Sequence, residues 1–275
     1  MTPVQKGTAD LIEEDKKPKH RSVSQHNTFH RCGWSYKLQR IDKVWQRPAS
    51  WLSQGLGVHV AMEEWEKSNR TLTNQELVDI YREEFIRSVN EQAETTPNFD
   101  YWFGSGPYSG PVDIERRFGI GEQQLLTLVQ YSLDHPDTKV WTTPDGDKAL
   151  ELEFEVELGG VMVKGFIDQI VIRPDGELVV RDVKTGAKPG DAFQLATYSE
   201  AVRIMHGVAP RFGDYFMGKT GKPTKPIPIT DEDRAAVHES FRELEEMIQA
   251  GDFQPNPSKN LCRMCSVATS CEYRI

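Results

Sequence analysis

The spacing of apolar residues along this chain changes period several times. From Ser22 to Ile41, "SVSQHNTFHRCGWSYKLQRI" sets Phe29, Cys32, Tyr36 and Leu38 on one stripe. That predicts a helix with Ser24 as N-cap, weakened by Gly33. "QGLGVHVAMEEWEK" predicts a second helix, with Val58, Ala61, Met62 and Trp65 facing a core. His59 and Glu63 lie four apart beside that stripe. "TNQELVDIYREEFIRSVNEQAE" opens with Thr73 and Glu76 at capping-box spacing and repeats Leu77, Tyr81, Phe85 and Val89 every four residues. Residues 95–118 read as irregular, and "PNFDYWFGSGPYSGPVDIERR" within them carries prolines, glycines and five aromatics, Phe99, Tyr101, Trp102, Phe103 and Tyr108. Helical spacing resumes at Gly119 in "GIGEQQLLTLVQYSLDH".

The period then drops to two. "ALELEFEVEL" alternates apolar and acidic residues, the pattern of a half-exposed strand. Gly159-Gly160 leads into "VMVKGFIDQIVI", and Pro174-Asp175-Gly176 into "ELVVRDVKTG", which together predict a three-strand meander. "DAFQLATYSEAVRIMHG" predicts a helix between Asp191 and Gly207, "RFGDYFMGK" a fourth strand, and "TDEDRAAVHESFRELEEMIQAG" a last helix with acids in its first turn. The order is helices, then β-β-β-α-β, then a helix and a cysteine-bearing tail, which is an α/β class. No internal repeat and no low-complexity tract interrupts it.

Composition narrows the setting. Of 275 residues, 37% are hydrophobic and 27% charged, enough apolar material for a sizeable core. Residues 1–20 are polar and charged and predict a flexible tail, without an apolar signal segment. No apolar run approaches the ~20 residues that span a bilayer, so no membrane is expected and the default location is cytoplasmic. A formal net charge of −9 excludes a generally basic nucleic-acid coat but leaves room for a local basic groove.

Two clusters carry chemistry. Asp182 and Lys184 flank Val183 at the end of a strand, so their side chains share a face. Asp168 follows an apolar run on the neighbouring strand and can lie beside Asp182. Two converging carboxylates repel unless a cation sits between them, and oxygen ligands suit Mg²⁺ or Mn²⁺. His59 could add an imidazole, which favours Mn²⁺. Lys184 alone could instead neutralise one acid. The second cluster is four thiols, Cys32, Cys262, Cys265 and Cys271, with a two-residue gap between Cys262 and Cys265. In a reducing compartment that spacing points to a shared metal or iron–sulfur site, with unrelated thiols as the plainer alternative. Four cysteines suit either a [4Fe–4S] cluster or Zn²⁺.

These motifs together resemble the PD-(D/E)XK nuclease superfamily, in its RecB-like branch with the CRISPR-associated iron–sulfur exonucleases. "GLGVH" with His59 resembles the helical His motif, and "GFID" with Asp168 the first acidic motif. "DVKTG" resembles the acid-x-Lys motif, and "QLATY", Gln194 to Tyr198, the Gln-x-x-x-Tyr motif. The one-plus-three cysteines resemble the pattern that staples both chain ends, with Cys32-Gly33 where many members have Cys-Pro. The resemblance implies a restriction-endonuclease-like core, a mixed sheet flanked by helices, as one domain over 21–275. Segments 22–50 and 255–275 would be joined by the iron–sulfur cluster, which the resemblance favours over Zn²⁺. It further implies that His59, Asp168, Asp182 and the Val183 carbonyl hold the metal. Lys184 would act on the attacking water or on the phosphoryl charge, and Gln194 and Tyr198 would position water or a strand phosphate.

The implied activity is a Mg²⁺- or Mn²⁺-dependent DNA nuclease, an exonuclease on DNA ends or single strands. An endonuclease on the same fold is one alternative. Another is a partner-dependent nucleic-acid-binding subunit in recombination, integration or CRISPR adaptation. Phe99, Tyr101, Trp102, Phe103 and Tyr108 could stack unpaired bases, although a packed lid is the plainer reading. Glu63 reads as part of a solvated acidic face.

Overall fold

The computed structural model describes residues 20–275, so the predicted tail, apart from His20, lies outside the described residues. The chain forms two compact units. One comprises the described residues up to Gln46 with Glu157–Lys164 and Ala236–Ile275, and the other Arg47–Val156 with Gly165–Ala235.

In the first unit, helix α1 (Val23–Arg31) is capped by Ser22, whose side chain accepts from the Gln25 N–H, two residues before the expected cap. The helix does not continue to Ile41. Cys32 is extended, at φ −168° and ψ 107°, and a short α2 (Gly33–Tyr36) and a π-turn over Lys37–Ile41 follow. Gly33 lies at a close crossing, where a Cβ would come within 2.9 Å of the Gln254 backbone nitrogen. The stripe residues Phe29 and Tyr36 still pack as predicted, with ring centroids 5.4 Å apart and Phe253 stacked on Tyr36 at 6.2 Å.

The second unit begins with three helices, α3 (Ser50–Lys67), α4 (Asn74–Thr95) and α5 (Gly110–Asp134). The α4 capping box is present: the Thr73 side chain accepts from the Glu76 N–H and Glu76 accepts from Thr73. Their apolar stripes meet in one core that includes Val58, Met62, Trp65, Leu77, Tyr81, Phe85, Leu125 and Leu128. Helix α5 starts nine residues before the predicted Gly119, so the irregular stretch ends at Ser109. Pro111 sits in the first turn, where a missing N–H costs nothing. Gly121 does not interrupt the helix because its lack of a side chain is used: a Cβ there would lie 2.0 Å from the Tyr81 Oη.

The strands follow: β1 (Lys139–Val140), β2 (Leu150–Leu158), β3 (Val161–Ile172) and β4 (Leu178–Lys184). Helix α6 (Ala192–His206) connects β4 to β5 (Phe212–Met217), and short β6 (Lys222–Pro223) and β7 (Ile227–Pro228) complete the sheet. The sheet is mixed, ordered β1-β3-β4-β5-β6, with β2 on β3 and β7 on β5. The meander is as predicted, β4 pairs antiparallel with β3, and β5 lies parallel to β4, as a crossover through α6 requires. Asp191 caps α6 by accepting from the Gln194 N–H, and Gly207 ends it at φ 70°. The chain closes with α7 (Asp231–Gln249) and the short α8 (Lys259–Arg263). Among the described residues no helix is long and apolar enough to cross a membrane.

Because Tyr81 is fully buried and its hydroxyl donates to the Arg117 and Phe118 carbonyls, it cannot yield to an added methyl. Gly121→Ala is expected to destabilise the protein by about 1–3 kcal/mol through overpacking, despite alanine's better helix propensity. A urea melt of this variant that matches or exceeds the parent midpoint would refute the close-packing account.

Candidate active site

The site forms where β3 and β4 stop pairing. Gln169 is the last β3 residue in register, opposite Arg181. One residue earlier, Asp168 replaces the ladder bond with its side chain: Oδ2 accepts from the Val183 N–H at 2.7 Å. The Val183 carbonyl accepts from His59 Nε2 at 3.0 Å, so the backbone of one residue orients both an acid and an imidazole. The Val183 side chain is buried in the helical core, which fixes that backbone. The other ring nitrogen, His59 Nδ1, lies 3.4 Å from both Asp168 Oδ2 and Glu151 Oε1. His59, Glu151 and Asp168 can each turn one ligand atom to within 4.8 Å of the others.

Asp182 and Lys184 share a face as their parity demands, with Lys184 Nζ 2.7 Å from Asp182 Oδ2. That ammonium is the counter-charge to the buried Oδ2. Asp182 Oδ1 accepts from Gln194 Nε2 at 2.6 Å. Gln194 is a hub on the first turn of α6. Its Nε2 also donates to the Tyr198 hydroxyl at 2.8 Å, and its Oε1 accepts from Lys184 Nζ at 3.3 Å. The Tyr215 hydroxyl donates to the Asp191 carbonyl at 2.6 Å and reaches Gln194 Oε1 at 3.5 Å, and Lys184 lies over the Tyr215 ring.

The structure therefore brings His59, Asp168, Asp182, Val183, Lys184, Gln194 and Tyr198 into one locality. Gln194 and Tyr198 do so from behind, holding Asp182 and Lys184, and neither lines the cleft. Glu151 was missed. The alternation of "ALELEFEVEL" assigns it to the solvated face with Glu153, Glu155 and Glu157. The alternation in fact holds only from Glu153 onward, because Glu151 adopts φ 41°. Left-handed backbone at a residue other than glycine is costly, and its presence beside ionisable groups fits a site held under constraint. No pattern in the sequence marks this turn.

The electrostatics match a place built for a cation. Burial would lower the His59 pKa, but Asp168 and Glu151 outweigh it and lift the imidazole to about 9. Burial raises Asp168, reinforced by Asp182 and Glu151 and opposed by His59 and the Val183 N–H. Burial also raises Asp182, against the pull of Lys184 and His59. Two buried acids that resist ionisation, Asp168 and Asp182, with the Glu151 carboxylate beside His59, fit a hard divalent ion, and carboxylate oxygens with one imidazole are a donor set for Mg²⁺ or Mn²⁺.

A cleft of about 980 Å³ opens over this group. Its lining includes His59, Glu63, Glu151, Val183 and Lys184, with Leu52, Leu56, Phe166, Arg116, Arg117 and Lys219 around them. Glu63 thus faces the cleft, although it also pairs with Lys67 at 2.8 Å. None of the five loop aromatics lines it. Trp102 and Phe103 are buried, Trp102 Nε1 donates to the Thr96 carbonyl, and Arg47 clamps the loop through the Tyr101 and Trp102 carbonyls.

The four cysteines all belong to the first unit. They are free thiols, and they do not converge closely enough to form a ligand group for one ion. Asn256 donates its backbone N–H to Cys32 Sγ at 3.4 Å, and Ser35 Oγ lies 3.4 Å from Cys265 Sγ. Burial pushes the Cys271 thiol up, and the nearby Cys265, Cys32 and Cys262 add to the rise.

The family model of the PD-(D/E)XK nuclease superfamily matches residues 20–272. "Gene 69 protein" of Mycobacterium phage D29 is 48% identical over 259 residues, covering 91% of this chain and 96% of its own length. "Gene 69 protein" of Mycobacterium phage L5 is 44% identical over 278 residues, covering 91% and 95%. A crystal structure of a protein from Eubacterium rectale aligns over 98% of this chain and 94% of its own at 14% identity and a TM-score of 0.48.

The raised groups give stability a definite pH dependence. A folded-state pKa above the unfolded value contributes stability that is complete below the unfolded value and is lost as pH rises through the folded one. For His59 that window runs from 6.5 to about 9, and Asp168 acts in the same sense at lower pH. In EDTA, the melting temperature is expected to fall as pH rises from 6.5 to 9. Mn²⁺ or Mg²⁺ should offset that fall increasingly at the upper end, because a cation needs a neutral imidazole and ionised acids. A melting temperature that is flat with pH in EDTA would count against the clustered site.

Proposed function

The chain belongs to the PD-(D/E)XK nuclease superfamily, which implies phosphodiester hydrolysis, and from that premise we propose that it is a Mg²⁺- or Mn²⁺-dependent DNA exonuclease. The observation that carries this reading is the meeting of Asp168, Asp182 and Lys184 with His59 and Glu151, of which His59, Glu151 and Lys184 line one cleft. The exonuclease mode rests on the RecB-like motif set, "GLGVH", "GFID", "DVKTG" and "QLATY".

Asp168, Glu151, His59 and Asp182 would hold the cation. When bound, a divalent cation lowers the pKa of its water and offsets charge on phosphoryl oxygens. The Val183 carbonyl, expected as a further ligand, accepts from His59 Nε2 and so sets the imidazole with Nδ1 toward the acids. Lys184 presents a fixed positive charge to the cleft, 30% exposed, where it can stabilise the charge that builds on a phosphoryl group. Gln194 limits the motion of both Asp182 and Lys184, and Tyr198 and Tyr215 anchor Gln194 in turn.

Asp182→Ala is expected to abolish cleavage of labelled DNA in Mg²⁺ and in Mn²⁺ while far-UV circular dichroism stays unchanged. Lys184→Ala should lower kcat by about 10²–10³-fold with little change in DNA affinity, since its charge acts on the transition state. Normal turnover in either variant would remove these residues from the reaction. With end-labelled DNA, mononucleotides support the exonuclease mode and internal cuts the endonuclease. Binding without any cleavage supports a partner-dependent subunit.

We further propose that the four cysteines of the first unit hold a [4Fe–4S] cluster that stabilises segments 22–50 and 255–275. Its support is the placement of all four thiols in one unit, with Cys271 sensing the other three, together with the one-plus-three spacing. Protein purified without oxygen is expected to be brown, with about four irons per chain. Cys265→Ala should lose the iron and raise hydrogen exchange in 22–50 and 255–275. One zinc per chain and no colour would replace the cluster with a zinc site, and neither metal would leave unrelated thiols.

A further inference from the structure

Resting on the nuclease reading, we propose that the cleft beside the metal centre receives an unpaired nucleobase on Phe166, so that the enzyme engages its DNA as a single strand. Phe166 stands two residues before Asp168 on β3, and strand parity puts both side chains on one face. Yet Phe166 is 53% exposed. Leu52 and Leu56 line the same cleft from α3, one turn apart on the stripe that continues to His59, and are 61% and 42% exposed. A single exposed apolar residue needs no explanation, but three gathered in one concave site beside ionisable groups mark a ligand surface.

The chemistry of the surface selects its occupant. A paired duplex turns charged phosphates outward, and an open aromatic ring gains little against them. An unpaired base offers a π-face of any sequence, which stacks on an aromatic ring. The cations of the cleft agree. Arg116 and Arg117 lie 3.2 and 3.5 Å from the buried carboxylate of Asp113, so those three side chains leave one net positive charge, and Lys219 adds another. Outside the metal group, where Lys184 is set against Asp182 and Glu151 lies beside His59, and with Glu63 paired to Lys67, these two net charges can follow a strand's phosphates but fall well short of the dense basic face on which duplex binding without base contacts depends. Phe166 is absent from the reaction itself: it touches the base and thereby determines which form of DNA presents its phosphate.

The test is a binding measurement in the full-length Asp182→Asn protein with Mg²⁺, so that no cleavage intervenes. A labelled single-stranded oligonucleotide is titrated intact, with one abasic position scanned along it, and annealed as a blunt duplex. Phe166→Ala is expected to weaken the intact single strand about tenfold or more, and Phe166→Trp to restore it. In the Phe166 protein one abasic position should reproduce that loss, and in Phe166→Ala the abasic position should add nothing. Duplex affinity should be equal in the three proteins. Unchanged single-strand affinity in Phe166→Ala overturns the inference, as does a loss shared equally by the duplex or an abasic penalty that persists without the ring. Absence of cleavage by the unaltered chain in Mg²⁺ and Mn²⁺ would sink the nuclease reading, while the binding data would still decide the role of Phe166.

Discussion

Everything at this site hangs on the backbone of Val183. Its N–H holds Asp168 and its carbonyl holds His59, on a residue whose side chain is locked into the helical core. The arrangement solves a specific problem. Acids brought together in a poorly solvated place repel one another and are expensive to ionise. They stay converged only if the surrounding backbone leaves them no alternative. A strand pair that ends in register, then gives its next N–H to a side chain, supplies such a constraint. The core formed by α3, α4 and α5 keeps that strand end from fraying.

The rear of the site follows the same logic with side chains. Gln194 has one donor group and one acceptor group facing opposite charges, Asp182 on one side and Lys184 on the other. An amide is suited to this place because it bridges an acid and an ammonium without adding charge. Asp191 caps the helix that presents it, and the Tyr215 hydroxyl binds the Asp191 carbonyl. The position of Lys184 is therefore tied to a helix terminus and a neighbouring strand, and its flexible stem counts for less than its length suggests.

Much of this was legible in the sequence because its signals are periodic or chemical. The meander, the α4 capping box and the span of α6 follow from alternation, Thr73 with Glu76, and Asp191 with Gly207. Asp168, Asp182 and Lys184 stand out as charges where a strand should be apolar. What stayed hidden depends on approach and backbone angle, which residue types do not encode. Gly33 and Gly121 look alike as helix breakers, yet one marks a real break beneath the Gln254 backbone and the other a tight contact with Tyr81 inside a continuous helix. Glu151 is disguised by three acids that follow it in phase, and only its φ of 41° turns it to the site. Phe166 reads as an ordinary strand apolar residue, since exposure on one face of β3 depends on what the rest of the fold leaves uncovered.

The net charge of −9 sets the terms on which this fold can meet a polyanion. Long-range attraction is weak or adverse, so capture cannot come from a diffuse basic field of the kind that steers DNA to strongly cationic proteins. What is left is short-range. A cation among the acids would turn the most negative part of the cleft into a phosphate-attracting one, Lys184 adds a charge at the same place, and apolar contact is unaffected by the surrounding acids. On this view the acidity of the site and its selectivity have one origin. Without a cation, His59 is the main relief for Asp168 and Lys184 for Asp182. With one, the strongest attraction would lie within the few ångströms where a phosphodiester can be cut, and the apolar contact and the net charge of Arg116, Arg117 and Lys219 would add to it at short range.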